Sequence, residues 1–170
     1  MAAREWGVLL DLDQTLVLTD AIEPLRRRRA WFKVYNSFEK TALPPGTVRF
    51  LSKANELAKL GVVTTSPRPY AERLLAYHRI LLPVLVAYHD VVHRKPHPEP
   101  IIKAAAKLGL GPSKCIHVGD QIGDIEAAQR AGAMAVALSW DGAIDQASVG
   151  KTTSFCTDWD EVYDFIAKTV

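Results

Sequence analysis

The stretch Gly7-Val8-Leu9-Leu10-Asp11-Leu12-Asp13-Gln14-Thr15 decides how the rest of the chain reads. Residues 7–12 are nearly all apolar and lack polar–apolar alternation, the pattern of a strand buried on both faces of a parallel sheet. Residues two apart on a strand point the same way, so Asp11 and Asp13 are expected on one face while Leu12 turns into the core. Open α/β sheets bind ligands outside the carboxyl ends of their strands. Two acids in that place read either as a site or as a polar loop leaving the sheet, and a short motif does not choose between them.

Working outward, similar apolar runs recur at residues 62–65, 84–88, 115–118 and 134–138. Helical patterns fill the gaps at 47–60, 98–108 and 124–131, each followed by a glycine (Gly61, Gly109, Gly132) in the place of a left-handed C-cap. A last helix is expected near 158–168, with Asp158 as its N-cap. Strands alternating with helices predict right-handed crossovers and a three-layer α/β fold on a parallel sheet. Residues 16–45 break the rhythm. They read as a helical insertion over the top of the sheet, one long helix or two short ones, too small to be a domain. The whole chain is therefore expected to be one domain.

Composition narrows the function classes. The chain has 170 residues, 48% hydrophobic and 24% charged, and 21 basic against 19 acidic side chains leave a formal charge of +2. That balance argues against disorder and demands neither a nucleic-acid nor a membrane partner. The longest apolar stretch, residues 80–88, contains Pro83 and falls far short of the roughly 20 residues of a membrane helix. Residues 1–6 carry no signal-peptide pattern. Cys115 and Cys156 read as reduced, buried small hydrophobes, so a cytoplasmic protein is expected.

Three further segments bear chemistry. Val118-Gly119-Asp120-Gln121-Ile122-Gly123-Asp124 ends a strand, with Asp120 and Asp124 four apart at a helix start. One such acid could merely complement the helix dipole; a second acid pair on another strand would remain unexplained. Thr64-Thr65-Ser66 offers hydroxyls and amides suited to a phosphate, or equally to an N-cap. Lys95 lies in the proline-stiffened Arg94-Lys95-Pro96-His97-Pro98-Glu99-Pro100. If the second and fourth strands flank the first, the ends of all three converge on one pocket.

Taken in order, DLDQT (11–15), VVTTS (62–66), RKPHPEP (94–100) and VGDQIGD (118–124) resemble the four motifs of the haloacid dehalogenase superfamily. The closest likeness is to its phosphatase branch, phosphoglycolate-phosphatase-like members included, over about residues 7–140. The resemblance implies a Rossmann-like core with a small helical cap. It also implies that Asp11 is the nucleophile and Asp13 the acid/base. Thr64, Thr65 and Lys95 would bind the phosphoryl group. Asp120 and Asp124 would hold Mg²⁺ with the Asp11 carboxylate and the Asp13 carbonyl. Gln14 departs from the pattern, since many members have glycine there; Asp13 argues against the dehalogenase branch.

Physical chemistry asks for the same parts. A phosphomonoester carries about −1.5 to −2, and like charges about 4 Å apart repel by roughly 4 kcal/mol at an effective dielectric near 20. A carboxylate attacks such an ester only where cations neutralise it, and Mg²⁺ with Lys95 would do so. Asp13, crowded by acids but off the metal, is expected to serve as the proton donor.

Arg26 and Arg29 could share one side of a helix and reach an anionic leaving group, although a solvated charged face is the commoner outcome. His89, His93 and His97 recur every fourth residue, a spacing that could suggest zinc, but Pro96 and Pro98 bar one continuous helix and no thiolate lies nearby in sequence, so the spacing is expected to be incidental. Trp6, Trp31, Trp140 and Trp159 read as core or interface anchors. The function expected is a Mg²⁺-dependent phosphatase of a small phosphorylated substrate acting through an aspartyl-phosphate. A nucleotidase or phosphomutase would use the same residues. The contrasting reading is a phosphate- or nucleic-acid-binding module that works through the arginine-rich insertion without turnover. A homo-oligomer partner could complete so small a cap.

Overall fold

In the computed structural model, which describes residues 4–150 and 153–170, six strands form one parallel sheet. From edge to edge they are Val84–Val86 (β3), Lys59–Val63 (β2), Gly7–Leu10 (β1), Cys115–Gly119 (β4), Met134–Leu138 (β5) and Ser154–Cys156 (β6). The register pairs Leu10 with Val62 on one side and with Val118 on the other. The second and fourth strands therefore flank the first, as the sequence predicts.

Alternation along β1 sorts the core into two apolar layers. Val8 and Leu10 pack with Val62, Ile116 and Val118 beneath the helices Thr47–Leu57 (α3), Arg68–Tyr77 (α4) and Trp159–Thr169 (α8). Leu9 faces the other way, with Val63, against Glu99–Lys107 (α5) and Ile122–Ala131 (α6). Across the first layer Trp159 stacks on Phe50 at 4.2 Å and donates its indole N–H to the Thr47 hydroxyl (2.8 Å). A buried indole needs such a partner, and this one fastens α8 to α3.

Residues 16–45 form short pieces: a 3-10 turn at Asp20–Ile22, the helices Glu23–Arg27 (α1) and Trp31–Tyr35 (α2), and a second 3-10 turn at Phe38–Lys40. Leu16, Val17, Ile22, Val34 and Phe38 bury themselves in the first core layer. The segment thus sits over the α4 side of the sheet as two short helices.

Several expectations need correction. The helix expected over 47–60 stops at Leu57, because Ala58 is already extended (φ −140°, ψ 162°). Gly61 is not its cap but lies inside β2, where a Cβ would meet Leu9 Cδ2 and Val84 Cβ at 3.2 Å each. A glycine after an apolar run fits either reading, and close strand packing decides here. Gly109 (φ 71°) and Gly132 (φ 79°) do occupy left-handed ends of α5 and α6. β1 ends at Leu10 rather than residue 12, and β2 spans 59–63 rather than 62–65, which leaves Asp11, Thr64 and Thr65 just beyond the ladders. Helix α4, strand β6 and the short helix Gln146–Val149 (α7) were not anticipated. Among the described residues no helix is long and apolar enough to cross a membrane. Cys115 and Cys156 are buried and free; burial pushes their thiols up, to about 11 and about 12, so they are unreactive small hydrophobes.

Candidate active site

Asp11 takes its position from one hydrogen bond past the end of β1: its N–H donates to Val118 O (2.9 Å), carrying the ladder with β4 one residue further. The chain then turns sharply. The amides of Leu16 and Val17 both donate to Leu12 O at 3.0 Å, with Leu12 fully buried and Asp13 beside Val17 in a single bridge. Gln14, in the turn, has φ 60°, a left-handed conformation that disfavours a residue with a Cβ. Its amide oxygen accepts the Thr19 N–H (2.6 Å) and its amide N–H₂ donates to Asp20, offsetting that strain. This accounts for a side chain where glycine is common among the proteins it resembles.

Three strands on in sequence but adjacent in space, β4 ends at Gly119, where a Cβ would fall 2.3 Å from Asp124 Cγ. Only glycine lets Asp124 fold back from the third position of α6, where it accepts the Gln121 N–H (3.1 Å). Ligand oxygens of Asp11, Asp120 and Asp124 consequently lie within 4.8 Å of one another. Asp120 stands just before the helix rather than on it, and accepts the Thr15 hydroxyl (3.0 Å). Lys95 Nζ lies 2.7 Å from Asp11 Oδ1 and 2.5 Å from Asp124 Oδ1, and donates to Val63 O at 3.1 Å. Thr64 is buried beside them; its hydroxyl accepts the Ser66 N–H (3.0 Å).

The electrostatics follow from that crowding. Burial, Asp124 and Asp120 together raise Asp11 against the pull of Lys95. Asp120 is pushed up to about 6, by burial first and then by Asp124. Asp124 goes the other way: burial opposes its ionisation, but Lys95 and the His117 ring hold it well below the usual carboxylate range. Burial also opposes the Lys95 ammonium, and its two aspartate partners outweigh it, so the amine is raised. Three carboxylates against one ammonium are a donor set short of positive charge, all hard oxygen. A divalent cation of the magnesium type fits both the charge and the donor chemistry.

Asp13 is not crowded by acids, which corrects the expectation. Its Oδ1 accepts from Tyr70 OH (2.7 Å) and Thr19 Oγ1 (3.0 Å) and pairs with Arg26 Nη1 (3.0 Å); its Oδ2 accepts from Ser66 Oγ (2.6 Å). Burial, and then the neighbouring carboxylate, push the Tyr70 hydroxyl far up, so it stays a neutral donor. Arg26 also donates to Ser66 Oγ (2.8 Å) and lies over the Tyr70 ring. Sequence reasoning missed Tyr70 and the buried His117, which bridges Leu9 O (3.1 Å) and Asp124 Oδ1 (3.3 Å). A polar residue inside the apolar run Cys115–Gly119 was the available signal for His117; nothing marked Tyr70.

A cavity of about 430 Å³ is lined by Asp11, Asp13, Thr64, Thr65, Lys95 and Asp124, together with Arg26 and Arg27. A larger hollow of about 810 Å³ lies along β3; its lining is mostly apolar, and its charged residues Arg68, Glu72 and Lys107 make no comparable set of reactive groups. Asp120 borders an adjoining recess near Trp140. α1 ends at Arg27 and Arg29 (φ 53°) lies beyond it, exposed; Arg26 and Arg29 both line a groove beside the cavity, with Trp31 and Tyr35, and of the two only Arg26 also lines the cavity itself. His89 stands apart, whereas His93 and His97 meet Glu99 with ligand atoms within 4.8 Å.

A model of haloacid dehalogenase-like hydrolases matches residues 7–132. Phosphoglycolate phosphatase of Salmonella typhimurium is 34% identical over 117 residues, covering 64% of this chain and 46% of that protein. Pyrophosphatase PpaX of Bacillus cereus is 42% identical over 84 residues, covering 48% of this chain and 39% of that one. This chain thus spans less than half the length of the curated relatives it matches. The solved structure of a HAD phosphatase from Thermococcus onnurineus superposes with a TM-score of 0.79 at 19% identity, over 95% of this chain and 97% of that one, a likeness of fold. With the family model covering both acidic motifs, their strands and Lys95 between them, the chain belongs to the haloacid dehalogenase-like hydrolase family.

Proposed function

We propose that this chain is a Mg²⁺-dependent phosphatase that hydrolyses a small phosphomonoester through an aspartyl-phosphate on Asp11. The observation that carries the reading is the division of acids in one cavity: Asp11, Asp120 and Asp124 around Lys95, and Asp13 apart from them among donors. Asp11, Asp120 and Asp124 would hold the ion with the Asp13 carbonyl, and the ion supplies neutralising charge to the ester and its carboxylate attacker. Lys95 Nζ and the Thr64 hydroxyl donate to the phosphoryl oxygens, with Thr65 at the cavity wall. An Asp11 oxygen then bonds to phosphorus as the ester P–O bond breaks, and Asp13 gives its proton to the departing alkoxide. In the second half Asp13 takes a proton from water as that water attacks the same phosphorus. Asp11 is released as carboxylate, together with inorganic phosphate.

Residues 16–45 act as a reduced cap, and Arg26 reaches from it to Asp13 rather than to solvent. Relatives named as a phosphoglycolate phosphatase and a pyrophosphatase support a small anionic substrate. The test is phosphate release from an aryl phosphate with and without magnesium. Turnover should require the ion and fall about 10³-fold or more in Asp11→Asn, as expected when a nucleophile is removed. Absence of magnesium-dependent turnover by the wild type would leave a binding module as the better reading.

A further inference from the structure

We propose that His93, His97 and Glu99 form a second cation site, selective for a borderline transition ion such as Zn²⁺ over Mg²⁺. The three side chains come from the two sides of Lys95 and from the first turn of α5, outside the cavity described above. The His93 and His97 rings lie 4.5 Å apart, centroid to centroid. His93 Nδ1 stands 3.1 Å from Glu99 Oε2. Two ligands of a tetrahedral zinc, each about 2.0–2.1 Å from the metal, are roughly 3.3 Å apart. The nitrogen–oxygen pair is thus already near ligand spacing, and an ion would replace the proton now shared between them.

His97 Nδ1 accepts the Glu99 N–H at 3.2 Å, a bond that seats the ring beside the first turn of α5 and that this nitrogen would give up on binding an ion. The backbone fixes the carboxylate as well. Val92 N–H donates to one oxygen and His93 N–H to the other, both at 2.9 Å. Those bonds hold Glu99 down to about 2, leaving it a ready anionic ligand. Donor chemistry separates this site from the acid cluster. Two imidazoles and one carboxylate suit zinc, nickel or copper, while three carboxylates suit magnesium. The His93 and Glu99 side chains are open to water, which would fill the remaining coordination. The ligands bracket Lys95, whose own side chain turns inward, so an ion here would clamp the segment that delivers the ammonium.

The experiment is a calorimetric titration of Zn²⁺ into the wild type, into Asp120→Asn, and into the double variant His93→Gln/His97→Gln, all in excess Mg²⁺. Asp120→Asn should retain one zinc equivalent, and the histidine variant should lose it or bind at least tenfold more weakly. In parallel, imidazole NMR of the wild type should show His93 and His97 moving with zinc while His78, His89 and His117 stay in place. Wild-type affinity in the histidine variant, or movement of the other rings in place of these two, would overturn the site.

Discussion

Asp11 and Asp13 are two residues apart, yet their neighbours have nothing in common. Asp11 faces Lys95 and two further carboxylates; Asp13 faces a guanidinium, a phenol and two hydroxyls. The turn at Leu12 makes the separation, since it sends one carboxyl to the acids at the strand ends and the other toward Thr19, Arg26 and Tyr70. Arg26, from residues 16–45, is the side chain that this arrangement depends on. Arg26 steadies Asp13 through the ion pair and through Ser66, whose hydroxyl accepts from Arg26 and donates to Asp13. A hydrogen bond to a charged group contributes about 1.5–3 kcal/mol, so Arg26→Ala should misplace Asp13 and lower kcat roughly ten- to hundredfold. The loss should be larger for alkyl phosphates, whose leaving groups need a proton, than for aryl phosphates, and a kcat comparison across leaving groups checks it. Arg29→Ala, exposed and away from the cavity, should leave both within twofold. Four acids and the lysine could be read from the sequence because they end apolar runs or sit among prolines. Tyr70 could not be: it comes from the first turn of α4, and no local pattern says that its hydroxyl crosses to Asp13.

Elements meet the site through their ends, and there the sequence was less explicit. A glycine behind an apolar run marks a helix end at Gly109 and Gly132 but a crowded strand at Gly61, because the signal records missing volume as readily as positive φ. Gly61→Ala should overpack Leu9 and Val84 and destabilise the protein by about 1–3 kcal/mol, read as a lowered thermal midpoint. Strand β6 escaped notice because three residues carry no periodicity, and α4 because prolines at 67 and 69 flank its first residue. Arg68 then joins α4 to the edge strand, donating to Leu85 O (3.0 Å) and pairing with Asp90 at 2.5 Å. Burial opposes the Asp90 carboxylate, but the Ala87 N–H and Arg68 overcome it and lower its pKa. A depressed folded value means that its stabilisation is present above the ordinary 3.8 and is lost as pH falls through the folded value. Asp90→Asn should therefore cost about 1 kcal/mol at pH 7, and the gap to wild type should close below the ordinary value, as thermal melts across pH would record.

At the scale of the molecule, the topology places the chemistry on interior strands. β1 and β4, which end at Asp11 and Gly119, have neighbours on both sides, whereas β3 and β6 form the borders and are only three residues long. Amide hydrogen exchange should accordingly be slowest in β1 and β4 and fastest in β3, β6 and the pieces of residues 16–45. Equal protection across the sheet would contradict that gradient. The alternation of strand and helix, and the neighbours of β1, were legible because they follow from handedness and burial alone. For residues 16–45 the sequence left one long helix or two short ones open, since two five-residue helices leave no repeat to decide between them.

The brevity of the two border strands has a further effect. A stray chain seeking to add itself to this sheet finds three residues of open backbone on either flank, too little to hold a register. Any fraying that begins there must unzip a complete neighbouring strand before the ends of β1 and β4 shift, so damage at the margin should reach turnover late.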